Sequence, residues 1–145
     1  MKLNLGSGSD KVEGFIGVDK LPITDIQLDL ENDPWPWKDD SIEEILSEHF
    51  VEHIKSLTLF MNNCHRVLMS GSLLTIVTPH PLSEWYWQDP THIRGYTANT
   101  FALYCTGYPG TLHSGIVPWS KADVYEEYKI VNAIVGRLVI ARMTK

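Results

Sequence analysis

The sequence predicts an α/β domain built on a doubly wound sheet. Three observations carry that expectation. Short apolar runs of strand character recur through the first half of the chain, residues 50–68 have helical spacing, and the last residues read as an antiparallel hairpin. The chain has 145 residues, enough for one domain with one core. No repeat or low-complexity tract divides it, so residues 1–145 are expected to form a single domain.

The elements follow in order. Lys2-Leu3-Asn4-Leu5 reads as a short strand running into the glycine turn Gly6-Ser7-Gly8. Phe15-Ile16-Gly17-Val18 is a second strand, closed by Asp19. Asp25 to Asp29 alternates and reads as a third. Ile42 to Leu46 reads as a fourth, although Glu43-Glu44 suits a helix equally on propensity.

From Phe50 to Leu68 the apolar residues Val51, Ile54, Leu57, Phe60, Met61, Val67 and Leu68 recur at helical spacing, and Ser70-Gly71 supplies a stop. Ser72 to Val77 reads as a buried strand ended by Pro79. Tyr125 to Val135 and Arg137 to Met143 read as two antiparallel strands joined at Gly136. Between Pro79 and this hairpin, at about 80–124, lies an irregular insertion rich in Trp, Tyr, Gly and Pro. So long a connection usually serves function.

Only Ser9 to Gly14 separates the first two strands, too short for a standard crossover helix. The predicted sheet is therefore poor in helices.

Composition narrows the classes. The apolar and charged fractions, 43% and 21%, are those of an ordinary soluble protein. A net charge of -6 speaks against a nucleic-acid-binding surface. No apolar run approaches the length that spans a bilayer, and strand-like residues begin at Lys2 with no leader expected before them. Cys64 and Cys105 lack metal-ligand spacing and read as thiols in a reducing compartment. A cytoplasmic location is expected.

The ordered motifs resemble the class I S-adenosylmethionine-dependent methyltransferases. L-N-L-G-S-G at 3–8 is similar to their first motif, and G-F-I-G-V-D at 14–19 to their second strand with its acidic end. L-D-L-E at 28–31 and P-W-P-W at 34–37 resemble the third strand and its exit. S-E-H-F-V-E-H-I at 47–54 resembles the segment after strand four, and R-V-L-M-S-G-S-L-L at 66–74 the helix end and fifth strand. D-P-T-H at 89–92 recurs in small proteins of this type. The resemblance implies a Rossmann-like seven-stranded sheet of order 3-2-1-4-5-7-6 with strand seven antiparallel. It also implies S-adenosyl-L-methionine as cofactor.

The residues supply what such chemistry needs. A backbone that turns sharply beside a ligand needs residues without a Cβ, as Gly6 and Gly8 provide. A carboxylate at the end of the next strand, Asp19, can accept from two ribose hydroxyls, and ligands of open α/β sheets bind at those strand ends. The resemblance extends the cofactor set to Asn4, Ser7, Asp29, Leu30 and Ser47. Asp29 serves equally well as a turn-forming residue.

His49, at the end of strand four, is the candidate general base, with helix capping as its structural alternative. Glu52 and His53 read as structural. Trp85, Asp89, His92 and Arg94, with Tyr86 and Trp87, are the candidate pocket for a small-molecule or saccharide-like acceptor. Packing of the aromatics on the sheet's second face is the alternative.

Three other readings compete. His49-Phe50-Val51-Glu52-His53 matches H-x-x-E-H, in which two His one helical turn apart share zinc. His49 is expected at a strand-to-helix junction, and that reading leaves the glycine turn and Asp19 without a role, so no metal is expected. A non-catalytic module that uses the same fold for binding is the second. A nicotinamide-dependent enzyme is the third, opposed by the missing third glycine and crossover helix. Neither the acceptor nor the oligomeric state is written in the sequence.

Overall fold

The computed structural model describes residues 1–105, 115–131 and 134–145. Seven strands form one sheet in the order β3-β2-β1-β4-β5-β7-β6. They are β1 (Lys2–Leu5), β2 (Ile16–Asp19), β3 (Ile26–Gln27), β4 (Ile42–Glu48), β5 (Leu68–Pro79), β6 (Lys121–Val131) and β7 (Ile134–Thr144). Strands β1 to β5 pair in parallel, and β7 runs antiparallel to both β5 and β6. The strand order and the antiparallel β7 match the expected fold.

Strand alternation sorts the side chains onto two faces. Leu3, Ile45, Leu74 and Met143 share one face through the register and are fully buried. Helix α1 (Leu57–Val67) covers this face with Leu57, Phe60, Met61, Cys64 and Val67. Ser56 caps it, its hydroxyl accepting from the Leu59 N–H at 3.2 Å. Trp35, Trp37, Phe101 and Trp119 complete the same core. Each such side chain contributes about 1.5–3 kcal/mol on burial.

Among the described residues the opposite face is thinly covered. Leu46 and Thr75 there are half-buried, and Val77, Leu138 and Ile140 form a small cluster under Trp85. Among the described residues no helix lies between β1 and β2, β2 and β3, or β3 and β4. Side chains close these links instead. Asp25 accepts from the Gly17 N–H at 2.8 Å and pairs with Lys11, tying the two loops that flank β2.

Several boundaries differ from expectation. The helix expected over 50–68 is a 3-10 turn at Val51–His53 followed, after a break, by α1. Ser70-Gly71 does not end a helix; it lies inside β5, where the register against β4 shifts. The hairpin does not turn at Gly136, which sits within β7 opposite Lys129. The insertion holds two short helices, α2 (Glu84–Trp87) and α3 (Ala98–Ala102), and gives way to β6 at Lys121.

Candidate active site

β1 lies where the chain order of the sheet reverses, between β2 and β4, and ligands of open α/β sheets bind at the strand ends beside such a point. A cleft of about 540 Å³ opens there. Gly6, Gly8, Asp19, Leu30, His49 and His53 are among its walls.

The glycine turn is held from below. The N–H groups of Gly6 and Ser7 both donate to the Val18 carbonyl, at 2.8 and 3.2 Å. Gly6 has φ +72°, and a Cβ there would lie 2.2 Å from the Phe50 ring. Conformation and close approach therefore both require glycine at this position. The Gly8 N–H donates to the Asp19 carboxylate at 3.0 Å. The other Asp19 oxygen accepts from the Leu21 N–H at 3.1 Å. Turn and strand-end carboxylate thus form one hydrogen-bonded unit.

Asp29 holds the turn that its sequence position allowed. It lines the cleft, and its carboxylate accepts from the backbone N–H groups of Glu31 and Asn32 and from the Asn32 amide. The Asn32 side chain, then the Glu31 N–H, hold this carboxyl below its ordinary range. Leu21, Leu28 and Leu30 add apolar wall.

His49 follows β4 directly, and its N–H donates to the Val77 carbonyl at 2.8 Å. Its φ is +52°, an uncommon conformation for a residue with a side chain. The side chain is 51% exposed, which leaves it accessible from the cleft. It caps no helix: the turn that follows has no side-chain cap. His49 and His53 are therefore not one turn apart on an α-helix, and the linear H-x-x-E-H geometry does not form.

Other expected residues stand elsewhere. Asn4, Ser7 and Ser47 are buried and do not line the cleft. The Ser7 hydroxyl packs against Gly17. Trp85 packs on Gly136, Val77, Leu138 and Ile140, on the sheet's thinly covered face. Arg94 lines a second cavity of about 310 Å³ with Tyr96 and Tyr104. Asp89 closes a turn by accepting from the N–H and hydroxyl of Thr91, and those bonds hold its carboxyl below its ordinary range.

The single pocket expected from Trp85, Asp89, His92 and Arg94 is thus divided. Of that segment Thr91 is the residue that lines the cleft. Phe50, His53, Ile54 and Thr91 were not expected in the cleft walls. The only signal for them was their nearness in sequence to His49 and to D-P-T-H.

The fold agrees with the comparisons. Residues 9–76 match the family model of the methyltransferase domain. A SAM-dependent methyltransferase from Archaeoglobus fulgidus superposes with a TM-score of 0.74 at 14% identity, covering 99% of this chain and 85% of that one. The chain has the fold of the SAM-dependent methyltransferases. A SAM-dependent methyltransferase from Thermotoga maritima gives a TM-score of 0.67 at 14% identity, with 99% and 81% covered. An arsenic(III) S-adenosylmethionine methyltransferase from Chlamydomonas reinhardtii gives 0.67 at 14%, with 99% and 63% covered.

No curated protein matches the sequence. The family match begins just after the glycine turn, so the turn's place in the site rests on its bonds to Val18 and Asp19. Among the described residues no helix is long and apolar enough to cross a membrane.

Proposed function

We propose that the chain binds S-adenosylmethionine in this cleft and transfers its methyl group to a small-molecule or saccharide-like acceptor. The observation that carries the reading is the Gly8 N–H bonded to Asp19, which joins the turn and the carboxylate in one wall. Each Asp19 oxygen accepts one backbone N–H and retains acceptor capacity, which suits a ribose diol. Leu21, Leu28 and Leu30 suit an adenine ring, and Asp29 can accept from its amine. The cleft volume lies within the range of small-molecule sites, roughly 300–1,000 Å³.

The cofactor, when bound, supplies a methyl group on a sulfonium, an excellent leaving group. What the chain must then contribute is positioning and exclusion of water. His49 is the residue for taking a proton from a hydroxyl, thiol or ammonium acceptor.

Calorimetric titration with S-adenosylhomocysteine tests the reading. One site per chain is expected, and absence of binding at millimolar ligand would overturn it. His49→Ala should bind the ligand as the wild type does while transfer falls by roughly 10²–10⁴-fold. Loss of ligand binding in that variant would give His49 a different role.

A further inference from the structure

A second group of side chains beside the cleft has no part in that reading. Glu52, His53 and His92 each bring one ligand-capable atom within 4.8 Å of the other two. Glu52 is fully buried. Its Oε2 accepts from the Thr78 hydroxyl at 3.0 Å, while Oε1 has no hydrogen-bond partner among the described residues. A buried carboxylate oxygen without a donor is costly, and something else must satisfy it.

His92 sharpens the point. Its Nδ1 stands 2.6 Å from the Tyr86 carbonyl, which can only accept, so Nδ1 carries a proton. In the neutral ring Nε2 is then a lone pair, 3.9 Å from Glu52 Oε1 and 3.8 Å from Asp89. Two acceptors face each other with nothing donated between them. A ring N–H given to a backbone carbonyl is also how metal-binding histidines are commonly fixed in tautomer and direction.

The His53 ring lies edge-on to His92 at 4.7 Å between centroids, and Thr91 fixes its Nδ1 at 3.0 Å. His49 Nδ1 stands 3.4 Å from Glu52 Oε1 without hydrogen-bonding alignment and falls outside the trio.

We propose that Glu52, His53 and His92 bind one divalent transition-metal ion of the zinc class. Two imidazoles and a carboxylate are a donor set that suits such ions. Ligand atoms around a tetrahedral zinc stand roughly 3.4 Å apart, so modest side-chain movement closes the trio. The site uses two residues of the H-x-x-E-H segment but takes its second histidine from the insertion. The ion would pin the 89–94 segment to the exit of β4. Two backbone bonds already start that attachment, from the N–H groups of Ile93 and Arg94 to the Glu52 carbonyl.

Chelator-treated full-length chain, titrated with Zn²⁺ by calorimetry and with Co²⁺ by visible absorption, tests the proposal. One ion per chain, a raised melting temperature and tetrahedral-type cobalt bands are expected. His53→Ala and His92→Ala should each weaken binding at least about tenfold, with circular dichroism confirming that the variants fold. His49→Ala should bind zinc like the wild type.

Absence of stoichiometric binding would overturn the proposal and leave Glu52 and His92 as an ion pair. So would binding that survives both His53→Ala and His92→Ala, or that is lost only in His49→Ala. Neither readout involves S-adenosylhomocysteine, so this proposal and the cofactor reading fail separately.

Discussion

The two ends of the sheet solve different problems. At β1, β2 and β4 the backbone itself builds a cleft: Gly6, Ser7 and Gly8 spend their N–H groups on Val18 and Asp19. At β5, β7 and β6 long antiparallel strands and bulky side chains build rigidity. Trp119 is fully buried, and Trp85 presses on Gly136. The first region fixes polar groups around a cleft, while the second buries apolar surface. Ligand affinity and stability should therefore respond to different substitutions.

Trp119→Ala should show the largest effect. It removes the largest fully buried side chain and should cost about 3–5 kcal/mol of stability, measured by denaturant unfolding. Asp19→Ala attacks the other region. Removing a charged acceptor of two hydroxyls should weaken S-adenosylhomocysteine binding by about 1.5–3 kcal/mol, with little change in melting temperature. Unchanged affinity in the folded variant would remove Asp19 from the site.

Gly136→Ala places a Cβ 2.3 Å from the Trp85 ring and should cost about 1–3 kcal/mol of stability while leaving affinity intact. A fall in affinity instead would couple the two regions more tightly than the geometry implies.

Asn32→Ala gives the smallest change, about a few tenths of a kcal/mol at neutral pH. The folded Asp29 carboxyl lies below its ordinary range chiefly because of the Asn32 amide. A depressed folded pKa stabilises above the unfolded carboxyl range, and that contribution is lost as pH falls through the folded value. The variant should move the Asp29 titration upward, seen by NMR, and shrink the acid-dependent loss of stability.

The same contrast explains what was legible in the sequence. The positions of the glycine turn, Asp19 and His49 were readable because each is local: a conformation, a strand end, a place just after a strand. The seven-stranded order was implied by the family resemblance that the ordered motifs carry, and not by any of these residues alone.

Trp85 was not readable in this way. Its spacing cannot say which sheet face it covers, and it packs where Gly136 leaves room for a ring. Gly136 looked like a turn for the same reason, since a glycine that admits a neighbouring side chain and one that bends the backbone are identical in sequence. Glu52, His53 and His92 come together only through the fold, because the insertion returns to the exit of β4. Asp29 was ambiguous in sequence because it both lines the cleft and holds a turn.

The central claim is that the cofactor binds where the glycine turn meets Asp19. Mapping backbone amide shifts by NMR during titration with S-adenosylhomocysteine tests it most directly. The largest changes should fall on Gly6, Gly8, Asp19, Leu21 and Leu30, with Gly136 and Trp119 little affected. Changes centred on β6 and β7, or on the second cavity around Arg94 and Tyr104, would contradict it.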